Sequence, residues 1–241
     1  MNLIQYALLC FCLLLIGGVC AKFILGQNRK KILQDMLSLS GAYLFGLLIL
    51  EMFPIIFSGH NHYAGLCVLA GFFIQIFMEF LTGGLEHGHI HPPAHNNQAL
   101  TVALFVGLGL HALLDGLPFA GVGAISDHQH HNFYSGILLH KVVEGFTMYL
   151  LLDMMGHKAV RIWQILILFS LITPAGMVMV NKIPVLLEHI PLVLAFAGGS
   201  LLHVAITILF ETENLHHHGI PIRKLIWIGL GLGMAVLIAL V

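Results

Sequence analysis

The chain has 241 residues, of which 59% are hydrophobic and 9% are charged, and its mean hydropathy is +0.95. So little charge excludes an ordinary soluble domain and indicates an integral membrane protein. The formal net charge of −1 provides none of the basic surface that nucleic acids require, so no nucleic-acid partner is expected.

Eight apolar runs follow one another along the chain, each near the ~20 residues that a helix needs to cross a bilayer. The runs are continuous rather than alternating, which predicts helices and excludes barrel strands. The first run lacks a basic leading segment and is expected to be retained as a helix. The sequence therefore predicts one all-α membrane domain over 1–241 with eight spans, which are 3–25, 37–57, 63–84, 100–123, 134–155, 161–180, 190–211 and 223–241.

Lysine and arginine are distributed unequally between the two ends of these runs. Lys182 alone lies at one side, and eight basic residues lie at the other. Because basic residues collect in cytoplasmic connections, the richer side is predicted to be cytoplasmic, and with an even number of spans both termini face away from the cytoplasm. The eight are Lys22, Arg29, Lys30, Lys31, Lys158, Arg161, Arg223 and Lys224.

The first and last three runs, about 1–84 and 161–241, are predicted to form an inverted repeat around central helices within 100–155. The second and seventh runs both carry small residues and end in a carboxylate, at Glu51 and Glu211. These two carboxylates are candidates for lining a path through the membrane. The longest connection, 85–99, is polar and contains two prolines, which predicts a flexible cytoplasmic loop.

Two matching motifs stand in the fourth and fifth runs. Each has a histidine and, four residues later, a carboxylate followed by glycine: His111 with Asp115, and His140 with Glu144. A spacing of four puts both side chains on one face of a helix. Both pairs fall near the middle of the bilayer on neighbouring helices, so they can converge. Two imidazoles and two carboxylates form a set suited to zinc; the alternative is a hydrogen-bond network that holds the helices together.

Charge within these two runs needs compensation. An isolated charge at the bilayer centre costs ~2.5–3.5 kcal/mol, so Asp115, Lys141 and Glu144 would cost roughly 8–10 kcal/mol if unpaired. The ammonium of Lys141 can reach both carboxylates, which predicts that it takes the place of a second cation. The alternative is that Lys141 turns away toward an interface. Pro118, together with Gly116, is expected to loosen or kink the fourth helix.

Histidine is abundant, with 17 residues, most of them in polar connections. One group lies in the predicted cytoplasmic loop, and another lies in the connection between the fourth and fifth runs. Both groups are expected to help collect or release metal, the alternative being solvated histidines without a specific role. The auxiliary histidines are His87, His89, His91, His95, His128, His130 and His131. Within the membrane, His203 is either a buried hydrogen-bonding residue or a path residue.

The paired motifs resemble the metal-binding signatures on the fourth and fifth helices of the ZIP (Zrt-, Irt-like) family of divalent metal transporters. The stretch 173–176 and the glycine-rich start of the seventh run add to this likeness. The resemblance implies a 3+2+3 helix arrangement, elevator-like passage of metal toward the cytoplasm and, in many members, a homodimer. Zinc is the expected cargo, with Fe²⁺, Mn²⁺, Cd²⁺ and Co²⁺ as alternatives, and no catalytic cofactor is implied.

The chain departs from the family pattern next to its motif histidines. Ala112 and Lys141 occupy positions where many members carry the acidic or amide residue that supplies a second metal position, so one metal is expected. Leu114 and Val143 replace a proline before each carboxylate. Thr173 stands where some relatives have a carboxylate, and it is a candidate path residue.

Two other functional classes compete with transport. A zinc-dependent hydrolase embedded in the membrane would need a general base beside its ligands, as in HExxH. Ala112 and Lys141 occupy those positions, which favours transport over hydrolysis. A metal sensor would bind without transporting, and the sequence leaves that alternative open. The lack of targeting features and the small size favour a bacterial inner membrane.

Overall fold

A computed structural model of the chain describes residues 2–24, 29–58, 62–82, 98–119, 127–210 and 221–240. In this part of the chain every regular element is helical, which confirms the all-α prediction. The helices are α1 (Leu3–Phe23), α2 (Arg29–Leu47), a π-helical turn (Leu48–Met52), α3 (Phe53–Ser58), α4 (Ala64–Thr82), α5 (Gln98–Leu114), a 3-10 turn (Leu117–Phe119), α6 (Asp127–Met154), α7 (Ala159–Ser170), α8 (Ile172–Lys182), α9 (Pro184–Glu188), α10 (Ile190–Phe210) and α11 (Ile222–Ala239).

The described helices are long and apolar enough for a multi-pass membrane protein. Seven segments meet the length and hydropathy of a span, and the third predicted run coincides with α4, whose described apolar part Ala64–Phe80 is shorter. The eighth span and the orientation of the termini therefore stay predictions. The seven segments are Leu3–Phe23, Lys31–Ser58, Thr101–Phe119, Tyr134–Met154, Ala159–Lys182, Ile190–Phe210 and Ile222–Ala239.

The helix of the fourth predicted run is interrupted near Gly116 and Pro118, where the sequence predicts a kink. Helix α5 ends at Leu114, and a turn followed by the 3-10 turn continues the chain. The amide of Gly116 donates to the carbonyl of Leu113 at 3.1 Å instead of reaching back to Ala112, and Pro118 has no N–H to donate. The hydroxyl of Thr173 on α8 donates to the Ala112 carbonyl at 2.9 Å. The freed backbone acceptor is thereby paired, as a membrane interior requires.

The helices differ from two of the predicted runs, although both runs coincide with segments that meet the criteria of a span, Tyr134–Met154 and Ala159–Lys182. Helix α6 begins at Asp127, so the histidines at 128, 130 and 131 belong to a helix rather than to a polar connection. The sixth run is split at Leu171 into α7 and α8. Apolar runs mark the thickness of the bilayer, whereas helical hydrogen bonding continues into water, so hydropathy alone does not locate where a helix begins.

Closely packed helix pairs hold the bundle together. The most extensive contacts join α1 with α6, α4 with α10 and α2 with α11. A Cβ on Gly145 of α6 would lie 1.9 Å from the Leu14 carbonyl oxygen, and one on Gly199 of α10 would lie 1.9 Å from that of Val68. Small residues allow this approach where lipid offers no hydrophobic drive between helices. The pairs α4–α10 and α2–α11 are exchanged by the predicted inverted repeat, which remains a prediction.

Candidate metal centre

The two motifs meet at the break in α5 and the middle of α6. His111 lies in the last turn of α5 and Asp115 directly after it, where the Asp115 amide still donates to the His111 carbonyl at 3.0 Å. His140, Lys141 and Glu144 lie on consecutive turns of α6. All five side chains are buried, and Lys141 is 0% exposed. Burial of so many polar groups at one depth requires mutual compensation.

Three of the predicted ligands converge. The Nε2 atoms of His111 and His140 lie 3.4 Å apart, and the Nε2 of His111 lies 3.5 Å from Oδ2 of Asp115. Each of these residues offers one ligand atom within 4.8 Å of the other two. In a tetrahedral zinc site with bonds of about 2.0–2.1 Å, two donor atoms lie about 3.3–3.4 Å apart. The observed separations are therefore close to the edge of a zinc tetrahedron.

Lys141 occupies the space between the two carboxylates. Its Nζ donates to Asp115 Oδ2 at 2.6 Å and to Glu144 Oε2 at 2.5 Å. The expectation that the ammonium reaches both carboxylates is confirmed, and the alternative of a side chain turned toward an interface is wrong. Glu144 lies outside the group of three converging ligands.

Three buried polar atoms of this cluster have no hydrogen-bond partner. They are Nδ1 of His111, Oδ1 of Asp115 and Oε1 of Glu144. A buried polar atom left unpaired costs about 1–3 kcal/mol, and folded proteins keep few of them. The two carboxylate oxygens leave acceptor capacity for a polar or charged ligand, whereas Nδ1 of His111 lies across the ring from the Nε2 that faces the other two residues.

Comparison with known proteins identifies the family. A family model described as ZIP zinc transporter matches residues 85–239, which include both motifs. The chain belongs to the ZIP zinc transporter family. ZIP proteins are transporters of divalent metals rather than enzymes, which supports transport over hydrolysis. None of the curated proteins compared with the sequence matches it.

A residue that the sequence analysis missed contacts the ZIP motif on α6. The Oγ of Ser40, a buried residue of α2, lies 3.3 Å from Nδ1 of His140. Its only sequence signal is a hydroxyl in an apolar run, and nothing in its spacing connects it with a motif 100 residues away.

The candidate path residues fall at different places. Thr173 is buried, and its hydroxyl donates the hydrogen bond to the Ala112 carbonyl that joins α8 to α5. His203 of α10 has its Nε2 2.5 Å from Oε2 of Glu79 on α4, with the ring of Phe72 edge-on at 5.1 Å. It is therefore hydrogen-bonded, and its role on a path stays a prediction. Glu51 is half-buried on the π-helical turn.

The remaining candidates lie beyond what the structure describes. Glu211 and the loop histidines His87, His89, His91 and His95 are outside the described residues. The backbone of His128, His130 and His131 is part of α6, but their side chains are outside the described part. Their roles stay predictions.

A small cavity adjoins the centre. His111, His140 and Glu144 line it together with residues of α2, α5, α6 and α10. Leu108 precedes His111 on α5 and Thr147 follows Glu144 on α6, so both lie toward the connections predicted to be cytoplasmic. Apart from the three motif residues and the Thr147 hydroxyl, the lining is aliphatic: Leu37, Leu108, Val143, Val204 and Ile208.

Proposed function

We propose that this ZIP protein carries divalent cations, zinc above all, toward the cytoplasm, and that the cation binds His111, Asp115 and His140. The observation that carries this proposal is the spacing of three donor atoms from two helices at 3.4 and 3.5 Å. Imidazole nitrogen combined with carboxylate oxygen suits zinc and its neighbours Fe²⁺, Co²⁺ and Cd²⁺. Hard cations such as Ca²⁺ and Mg²⁺ take six or more oxygens, which this set does not supply.

Glu144 completes the set as the fourth ligand. Its Oε1 is buried and unpaired, whereas Oε2 accepts from Lys141. A carboxylate with one oxygen held by an ammonium can still offer the other to a cation. The interaction with Lys141 then orients Glu144 instead of competing with the metal for the same atom.

Lys141 limits the centre to one cation. Asp115 and Glu144 contribute −2 and Lys141 +1, so one dication brings the cluster to +1 and two would bring it to +3. In a low-dielectric interior that repulsion is strong. The ammonium also shares Oδ2 of Asp115 with the arriving cation, since this oxygen lies 2.6 Å from Nζ and 3.5 Å from the His111 ring. Such sharing weakens binding and favours release.

The route follows the cavity and the grouping of helices. The cavity extends from the centre toward the predicted cytoplasmic side, which supports release in that direction. Helices α1, α5, α6, α7 and α8 form one group and carry the proposed ligands, whereas α2, α4, α10 and α11 form a second group. The two groups meet where α2 packs on α6 and α4 packs on α5. Movement of the first group against the second would carry the bound cation across, in the elevator-like manner that ZIP resemblance implies.

Uptake of zinc into proteoliposomes tests the proposal. Purified protein is reconstituted around a zinc-sensitive dye, and initial rates are measured with zinc alone and with Fe²⁺, Mn²⁺, Cd²⁺ or Co²⁺ in competition. We expect saturable zinc uptake that is nearly abolished in His111→Ala and His140→Ala. The matched control is His157→Ala, a buried histidine whose Nε2 contacts Thr101 at 2.8 Å, and it should retain uptake.

Two outcomes would contradict transport through this centre. Zinc binding without uptake by the wild-type protein would favour the sensor alternative. If uptake survives both alanine substitutions, the alternative is supported, in which the two motifs form only a hydrogen-bond network that holds the helices together.

A further inference from the structure

A hydrogen bond joins the proposed metal centre to a helix that carries none of its ligands. Ser40 on α2 is 1% exposed, and its Oγ lies 3.3 Å from Nδ1 of His140 on α6. The same imidazole directs its other nitrogen, Nε2, at the ring of His111, 3.4 Å away. The two nitrogens of His140 therefore face different partners.

The contact with Ser40 bears on which nitrogen of His140 can bind a cation. A neutral imidazole has one N–H donor and one acceptor nitrogen, and a cation binds only the acceptor. If Nδ1 carries the proton and donates to Ser40 Oγ, Nε2 keeps its lone pair toward the centre. If Nε2 carries the proton, the N–H points at the incoming cation and the ligand is lost.

We propose that Ser40 is a positioning residue whose Oγ accepts from the Nδ1–H of His140 when Nε2 binds the cation, and that it thereby keeps Nε2 aimed at the cation. This inference rests on the proposed function, because it assigns Ser40 a role in cation affinity. Groups that hydrogen-bond the far nitrogen of a metal-binding histidine set its tautomer and orientation, and losing one costs about 10–100-fold in metal affinity. Ser40 acts through His140 and does not itself bind the cation.

A second contact between the same helices provides a way to separate this role from simple helix docking. The hydroxyls of Tyr43 on α2 and Ser135 on α6 lie 2.7 Å apart. Tyr43→Phe removes that bond and leaves His140 untouched. If docking of α2 on α6 were the whole function of Ser40, Tyr43→Phe would have the same effect as Ser40→Ala.

The experiment compares the KM and Vmax of zinc uptake in proteoliposomes across a matched series. Ser40→Ala should raise KM about 10-fold or more, while Ser40→Thr, which keeps a hydroxyl, should stay within about threefold of wild type. Ser38→Ala is the control, because Ser38 is a buried serine two residues earlier whose Oγ donates to the Gln34 carbonyl at 2.7 Å. Ser38→Ala and Tyr43→Phe should leave KM within about twofold. If Ser40→Ala does not insert, Ser40→Gly replaces it with the same expectation.

A spectroscopic readout of this hydrogen bond gives a second measure. In zinc-loaded protein with ¹⁵N-labelled histidine, the Nδ1–H resonance of His140, assigned by its loss in His140→Asn, should lie at the position of a hydrogen-bonded N–H in the wild type and shift upfield in Ser40→Ala. Equal KM values for Ser40→Ala and Ser38→Ala, or the same rise in KM for Tyr43→Phe, would overturn the role of Ser40 while wild-type uptake leaves the proposed function standing. Absence of zinc uptake by the wild type would instead overturn the proposed function.

Discussion

At the scale of single residues, the ammonium of Lys141 balances part of the negative charge of the proposed metal centre. Lys141 is fully buried and contacts both carboxylates of the paired motifs. A buried charge that loses its partners is strongly destabilising, so the lysine and the carboxylates depend on one another for stability. In the proposed function, the same contacts also limit the number of cations that the centre accepts.

The first prediction concerns the number of bound cations. We expect one Zn²⁺ per protomer in the wild type and two in Lys141→Asp, because the substitution removes a positive charge and adds a carboxylate. Equilibrium dialysis followed by elemental analysis measures the ratio. Lys182→Asp, which changes the same residue type at the end of α8, should bind one. Two ions in the centre of the wild type would contradict the role of Lys141.

The second prediction concerns Asp115, whose Oδ2 faces both His111 and Lys141. Asp115→Ala should nearly abolish zinc uptake, since it removes a ligand and leaves the ammonium with one carboxylate. Asp115→Glu should retain more, because it keeps the charge within reach of both neighbours. Initial rates in proteoliposomes, normalised to inserted protein, decide the order. A rate for Asp115→Ala close to that of the wild type would show that the Asp115 carboxylate is dispensable.

At the scale of helices, the glycine after each carboxylate has a structural reason. A Cβ on Gly145 would lie 1.9 Å from the Leu14 carbonyl oxygen of α1, and one on Gly116 would lie 2.7 Å from that of Thr173 on α8. These glycines allow α6 and the turn after α5 to pack against α1 and α8 directly beside the charged residues. Each motif therefore joins its proposed ligands to a helix crossing.

The third prediction tests this crossing. Gly145→Ala should destabilise the protein by about 1–3 kcal/mol or more, because the added methyl meets backbone that cannot give way easily. Gly229→Ala on α11 is the control, since a Cβ there meets nothing within 4 Å and alanine favours a helix over glycine. Melting temperatures in detergent compare the two variants. A Gly145→Ala protein as stable as Gly229→Ala would show that the α1–α6 contact is looser than described.

At the scale of the whole molecule, the distribution of basic residues predicts which side faces the cytoplasm. With that orientation the cavity lies on the cytoplasmic side of the centre, which is why we propose that the cation leaves through it. The seven segments that meet the criteria of a span and the shorter α4 together allow the even number of crossings that the prediction needs.

The fourth prediction places the termini. In a background without the four native cysteines, Leu240→Cys should react with an impermeant thiol reagent added outside intact cells. Lys158→Cys, at the start of α7, should react only after the membrane is opened, which makes it the matched control. Labelling of position 240 only after opening would reverse the topology and the direction assigned to the cavity.

The sequence by itself determined the helical membrane class, the break after α5 and the two motifs that identify ZIP. These are local properties: the length of an apolar run, a proline without an N–H, and a spacing of four on one helix face. Even the reach of Lys141 to Glu144 follows from adjacent turns of one helix. The beginning of α6 was missed because helix ends outside the bilayer leave no mark in hydropathy.

Only the tertiary structure decided the contacts made between helices distant in the chain. Ser40 beside His140, Glu79 beside His203 and Thr173 on the Ala112 carbonyl all depend on how each helix is rotated about its own axis. In a membrane, hydrophobicity does not set that rotation, because every face of such a helix is apolar. The rotation is set instead by close packing at glycines and by a few polar pairs. Such pairs are known only once the helices are placed against one another.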